Sequence, residues 1–182
     1  MFEEFLEAFV LVFVAEVGDK TQLMLMTLAA KYTALQMILG ILLGVTINHG
    51  AAVLIGCYLS NVINGNLLQF FTGFIFIVFG IMTIVFDDEG EKGRSFKFGP
   101  VLTTALTFLL GEMGDKTQLT AMTLAMEAQH PALVLAGSVS GMLAIGIVGI
   151  IIGSALTKHI PSNIIKAISG LIFIIFGLMR FI

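Results

Sequence analysis

A charged heptad occurs twice in this chain, each time inside a long apolar stretch. Residues 16–22 read EVGDKTQ and residues 112–118 read EMGDKTQ, and over 16–29 and 112–125 eleven of fourteen positions are identical. A charge at the centre of a membrane-spanning helix costs about 2.5–3.5 kcal/mol on insertion scales. Two copies of a segment with three ionisable side chains therefore predict a functional site, with the apolar sequence as its surroundings.

The composition predicts an all-α integral membrane protein. Of the 182 residues, 58% are hydrophobic and 12% are charged, whereas about a quarter of the residues in a soluble domain are charged. One span takes roughly 20 apolar residues, so the chain has room for about six spans and no separate soluble domain. It has no basic patch that would indicate a nucleic-acid partner.

Six transmembrane helices are predicted from the apolar runs and the loops between them. A turn is expected over 60–66, and the strongly polar segment 87–100 is expected to link a first repeat (1–86) to a second (101–182). The predicted spans are 2–30, 34–59, 67–86, 101–126, 131–157 and 162–182.

The duplication extends over both whole halves. Residues 67–82 and 164–179, in the third and sixth spans, share seven of sixteen positions. Because each half has an odd number of spans, the second half enters the membrane from the opposite side. The sequence thus predicts two inverted three-helix repeats, an arrangement in which transporters place the substrate near the midplane at the repeat interface.

The distribution of Lys and Arg predicts the orientation. Only Arg180 falls on one side of the predicted membrane, and that side also holds both termini. By the positive-inside rule the opposite side, including the 87–100 linker, is cytoplasmic, so both termini lie outside. The residues on the cytoplasmic side are Lys31, Lys92, Arg94, Lys97, Lys158 and Lys166.

The heptads supply oxygen atoms for a cation. On a continuous helix the two acids and the lysine of each heptad share one face, and Gly18 and Gly114 allow either close helix approach or a local break. Hard divalent cations prefer such all-oxygen surroundings. The predicted metal ligands are Glu16, Asp19, Glu112 and Asp115. The predicted supporting residues are Lys20, Thr21, Gln22, Thr27, Lys116, Thr117, Gln118 and Thr123.

Charge balance predicts exchange of metal for protons. With all four acids ionised the site carries −4, and Lys20 with Lys116 returns +2, which leaves −2. One divalent ion or two protons neutralise that charge, and close carboxylates in low dielectric hold protons more tightly. The alternative interpretation is a structural ion-pair cluster, although apolar packing would join the helices without desolvating six charges.

Two further sets of residues have open roles. Asn48 and His49 break the internal symmetry, because their counterparts are Ile145 and Gly146. His49, with Asn48, is a candidate proton relay, and hydrogen bonding to a neighbouring helix is the alternative. Four glycines, in two pairs spaced for close helix contact, favour packing within the bundle over a homodimer interface. They are Gly40, Gly44, Gly137 and Gly141.

At these motifs the chain resembles the six-span Golgi-type calcium and manganese transporters and their bacterial relatives. Those proteins have two hydrophobic halves, each with a Glu-(apolar)-Gly-Asp-(Lys/Arg)-(Thr/Ser) motif, and residues 16–21 and 112–117 fill every position. The resemblance implies a prokaryotic member that exchanges manganese or calcium for protons, with the motif acids as ligands. It also implies manganese efflux across the cytoplasmic membrane, with the metal as substrate and no prosthetic group.

Other functions remain as alternatives. A small-solute or amino-acid exporter would need a roomier cavity, and a divalent cation channel would not need protons. A membrane enzyme would need an asymmetric catalytic set, whereas both halves here carry the same residues and offer no Ser/His or paired-histidine arrangement. The chain is therefore predicted not to be an enzyme.

Overall fold

The computed structural model describes residues 2–17, 19–29, 31–85, 98–159 and 162–181. These ranges form eight α-helices and no β-strand, so the all-α prediction is confirmed for this part of the chain. Residues 87–97 of the predicted linker lie outside it. The helices are α1 (Phe2–Glu16), α2 (Lys20–Ala29), α3 (Ala34–Val62), α4 (Gly65–Val85), α5 (Pro100–Gly111), α6 (Lys116–Glu127), α7 (Pro131–His159) and α8 (Ser162–Met179).

Helix α3 is longer than the sequence predicts. It begins at a capping box, in which the Thr33 N–H donates to Gln36 Oε1 at 3.0 Å and the Gln36 N–H donates to Thr33 Oγ1. The turn predicted over 60–66 is wrong for 60–62, because α3 continues to Val62. The side chains of Ser60 and Asn61 each donate to the Cys57 carbonyl, so these polar groups bond to the helix instead of ending it.

The first and fourth predicted spans are each divided into two helices. Helix α1 ends at Glu16 and α2 begins at Lys20, while α5 ends at Gly111 and α6 begins at Lys116. The expectation that each heptad presents one face of a continuous helix is therefore wrong. Gly114 has φ +80°, a left-handed conformation that a right-handed helix cannot contain. Gly18, its counterpart, lies outside the described residues.

Two helices of the described chain are long and apolar enough to cross a membrane, Ala34–Val62 and Pro131–Ile151. With 29 residues, α3 is about 43 Å long, more than the roughly 30 Å of a bilayer core. Shorter apolar helices cover Phe70–Val85, Pro100–Gly111 and Gly170–Met179. The break after Gly111 explains why the fourth predicted span contributes only a short apolar helix.

Helices of the first half pack against helices of the second half through glycine contacts. Helix α3 packs against α5 and α6, and α1 packs against α7. A Cβ at Gly44 would press on the Ala105 carbonyl of α5, and one at Gly141 would lie 2.7 Å from the Phe9 carbonyl of α1. Gly40 and Gly137 lie against the same two helices one turn earlier. In both pairs the packed helices run in the same direction.

Helices α4 and α8 form an antiparallel pair beside this core. Gly73 packs on Gly177 and Gly80 on Gly170, so backbone meets backbone at both crossings. Phe76 and Phe173 are fully buried, with ring centroids 6.0 Å apart. The pair therefore joins the two halves through residues that correspond in the internal repeat.

Ion pairs connect three segments at one end of the bundle. Arg180, just after α8, pairs with Glu7 of α1 and lies 3.1 Å from Glu127 at the end of α6. The ring of His130 lies 3.1 Å from Glu4. The start of α1, the α6–α7 connection and the end of α8 thus lie together.

Candidate functional site

The first heptad places a buried carboxylate at the end of α1. Glu16 is 0% exposed, and within the described residues neither of its carboxylate oxygens has a hydrogen-bond partner. The chain then turns, with the Asp19 N–H donating to the Glu16 carbonyl at 3.2 Å. Asp19 is also buried. The break therefore brings two acids of one heptad into the protein interior.

The second heptad also interrupts its helix and contains the same backbone hydrogen bond. Glu112 is buried at the C-cap of α5, and its N–H donates to the Phe108 carbonyl at 2.9 Å. The Asp115 N–H donates to the Glu112 carbonyl at 3.2 Å, and Asp115 is the N-cap residue of α6. Gly114 takes the left-handed conformation between them. In both breaks the Asp N–H thus donates to the carbonyl of the Glu three residues earlier.

Two side-chain contacts join the breaks to each other. The Thr21 hydroxyl, in the first turn of α2, donates to Glu112 Oε1 at 2.9 Å. Lys116 of the second heptad forms an ion pair with Asp19 of the first. Each half therefore supplies a polar group that binds an acid of the other half.

Three of the four predicted ligands form one compact group. One carboxylate oxygen from each of Glu16, Asp19 and Asp115 lies within 4.8 Å of the others. Glu112 is outside this group of three, and its carboxylate accepts from Thr21, two residues after Asp19 in the chain. Acids from both halves, which are almost a hundred positions apart in sequence, are therefore neighbours in the fold.

The donor set suits a hard divalent cation. The candidate ligand atoms of the three acids are carboxylate oxygens, and Thr117 of the second heptad is fully buried with a hydroxyl that has no hydrogen-bond partner in the described chain. Oxygen-only surroundings favour calcium, manganese and magnesium, whereas zinc and copper prefer imidazole or thiolate. The Lys116 ammonium lowers the net negative charge without occupying a ligand position.

The remaining predicted site residues fall into three groups. Thr123 is buried, but its hydroxyl donates to the Leu119 carbonyl of its own helix at 2.7 Å. Gln118 contacts Asn48 of α3 and the Gly114 N–H. The side chains of Lys20, Gln22 and Thr27 lie outside the described residues.

Asn48 and His49 lie on the buried side of α3. His49 is fully buried, and neither ring nitrogen has a hydrogen-bond partner in the part of the chain that the structure describes. Asn48 accepts from Gln118 through its Oδ1. Asn48 and Gln118 were identified separately from the sequence, and their contact was not predicted. The one signal for this contact was that Asn48 is polar, whereas its repeat counterpart Ile145 is not.

Comparison with known proteins relates both halves to one family. A family model described as "Divalent cation/proton antiporter GDT1" matches residues 4–91 and 100–182. A Vibrio cholerae protein named "Putative manganese exporter" is 28% identical over 90% of this chain and 83% of its own length. GDT1-like protein 5 of Oryza sativa is 23% identical over 98% of this chain and 94% of its own.

A fission yeast relative shows a closer but shorter match. GDT1-like protein C186.05c of Schizosaccharomyces pombe is 38% identical over 44% of this chain and 30% of its own length. No solved structure matches the chain. The family match contains both heptads and confirms the resemblance that they indicate. The chain belongs to the GDT1 family of divalent cation/proton antiporters.

Proposed function

We propose that this protein exchanges Mn²⁺ or Ca²⁺ for protons across the cytoplasmic membrane, with Glu16, Asp19, Glu112 and Asp115 as metal ligands. One observation carries the proposal: acids from both heptads meet at the paired helix breaks, three of them within 4.8 Å. Burying several like charges in one place is unfavourable unless a cation or protons accompany them. A site of this kind alternates between metal and protons.

The lysines and hydroxyls of the heptads complete the site in this proposal. Lys116, paired with Asp19, and its counterpart Lys20 reduce the formal charge from −4 to −2. A single divalent ion then leaves the site neutral. Thr21 fixes Glu112 by its hydrogen bond, and the Thr117 hydroxyl, which has no partner among the described residues, offers an oxygen to the metal or to a water molecule.

The proposed architecture is six spans in two inverted three-helix repeats, 1–86 and 101–182, joined by the 87–100 linker. Helix contacts support it. Phe5 and Phe9 of α1 meet Gly137 and Gly141, and their counterparts 96 positions later, Val101 and Ala105, meet Gly40 and Gly44. The parallel α1–α7 and α3–α5 pairs and the antiparallel α4–α8 pair are what a twofold axis in the membrane plane would produce.

The proposed orientation places both termini outside and the linker in the cytoplasm. The ion pairs of Glu7 and Glu127 with Arg180 support a shared side for the start of α1, the α6–α7 connection and the end of α8. Metal efflux is the proposed direction, and the name of the Vibrio cholerae relative supports manganese as the exported ion.

Proton release from reconstituted protein tests the function. Proteoliposomes with a trapped pH indicator should report proton movement when Mn²⁺ or Ca²⁺ is added, and much less with Zn²⁺, because the site offers only oxygen. Mg²⁺ is included in the same series. Metal flux without proton movement would identify a channel instead, and a series in which no metal moves protons would contradict the proposal.

We also propose that His49, with Asn48 beside it, relays protons to the site. The ring is fully buried, and neither nitrogen has a hydrogen-bond partner in the described chain. Replacing His49 by Ala should therefore change the pH profile of transport. His130, which is exposed and contacts Glu4, offers the control His130→Ala. A His49→Ala protein with the wild-type pH profile would exclude the relay.

A further inference from the structure

Gln118 connects the second helix break to α3 with both ends of its side-chain amide. Its Oε1 accepts from the Gly114 N–H at 2.6 Å. Its Nε2 donates to Asn48 Oδ1 and lies 3.4 Å from the Asn48 main-chain oxygen. The side chains of Asn48 and Gln118 thus form a bridge of two hydrogen bonds from α3 to the turn between the two acids of the second heptad.

The turn depends on this bridge because its own backbone does not satisfy Gly114. Gly114, at φ +80°, lies between α5 and α6, and within the described residues its N–H has no backbone acceptor. Gln118 Oε1 supplies the acceptor. The conformation that this bond holds in place sets the distance between Glu112 and Asp115, since both flank Gly114.

Helix α3 is a rigid support for the bridge. Gly44 packs on the backbone of α5, before the break, and Gly56 packs on the Met122 carbonyl of α6, after it. Asn48 lies between these two contacts and is 2% exposed. Because α3 contacts the helices on both sides of the break, Asn48 can hold the turn in one position relative to α5 and α6.

The corresponding position of α7 carries no amide side chain. The repeat counterpart of Asn48 is Ile145, which is buried in the apolar core and whose side chain has no hydrogen-bonding atom. The two halves, alike in their heptads, therefore differ at the position that Asn48 occupies. This difference gives the second heptad a fixed anchor that the corresponding position cannot give the first.

We propose that Asn48 is a positioning residue for the second heptad: acting through Gln118, it fixes the Gly114 turn and so the geometry in which Asp115 and Glu112 bind the cation. Asn48 itself does not touch the metal in this proposal. Its effect on metal affinity rests on the proposed function. Its effect on the turn does not.

Hydrogen–deuterium exchange and transport of Asn48→Leu test the proposal. In the metal-free protein, exchange in the peptide spanning 112–118 should be about 10-fold faster, because the bridge holds the Gly114 N–H and losing one such hydrogen bond is worth about that factor. The KM for Mn²⁺ should rise about 10-fold. Asn48→Ala, which adds no bulk, provides the same readout if the Leu variant folds poorly.

A double-mutant cycle separates positioning from general damage. If Asn48 acts through Gln118, adding Asn48→Leu to Gln118→Leu should change neither exchange nor KM further. Ile145→Leu, at the corresponding buried position of α7, should leave both at wild-type values. Equal exchange in wild type and Asn48→Leu, or effects of the two substitutions that multiply, would overturn the proposal. If the wild-type protein moves no metal, the proposed function fails while exchange still decides the role of Asn48.

Discussion

Replacing Glu16 by Gln should abolish metal-driven proton release, with a loss of at least about 100-fold. Substitutions in the outer shell of a metal site already cost about 10–100-fold, and a direct ligand should cost no less. The amide is a neutral, weaker ligand and cannot carry a proton in exchange for metal. Because Glu16 is fully buried in this structure, bulk water does not reach the position of the lost ligand.

The measurement is initial proton release per protein at saturating Mn²⁺ in proteoliposomes. Glu3→Gln is the matched control, because it makes the same chemical change on the same helix at an exposed position. Glu3→Gln should keep the wild-type rate. A Glu16→Gln protein that keeps it as well would remove Glu16 from the site.

The meeting of the acids was predictable because the sequence contains the same unusual charge pattern twice. Charged residues in apolar segments must share an interior, and a duplicated segment suggests that its copies face each other. The structure shows this directly in the contacts of Thr21 with Glu112 and Lys116 with Asp19. The internal repeat implied such contacts between the two halves.

The helix breaks were not predictable from the same residues. A glycine between two acids is compatible with a continuous helix, where it permits close packing, and with a turn, where it permits positive φ. The choice depends on groups far away in sequence. In the second half the turn is held by Gln118, which reaches Asn48 of α3, and helix periodicity contains no information about that contact.

The ion pairs at one end of the bundle could not be predicted from the sequence either. Glu7 lies near the start of the first predicted span and Glu127 just after the fourth, and the sequence assigns Arg180 only to one side of the membrane. Their partners depend on how α1, α6 and α8 are arranged around one another. The positive-inside rule predicts the side of the membrane on which a loop lies, but not which residues form ion pairs there.

Replacing Lys116 by Met should lower the stability of the folded protein strongly. Lys116 pairs with Asp19, whose side chain is 1% exposed. Removing one partner of a buried ion pair costs about 3–5 kcal/mol, because the other charge stays in the interior. For a chain of this size that corresponds to a fall in Tm of about 10 °C, measurable on the detergent-purified protein. Lys31→Met, at an exposed lysine after α2, should leave Tm unchanged.

Adding Asp19→Asn to Lys116→Met separates the structural from the transport role of the pair. With both charges gone, the desolvation penalty disappears, so Tm should return to within about 2–3 °C of wild type, because neutral replacements of a buried pair are often tolerated. Metal-driven proton release should stay absent, since a metal ligand has been removed. If the double variant regains both stability and transport, Asp19 is not a ligand and the pair serves only to join the halves. If it regains neither, other contacts of Lys116 hold the two breaks together.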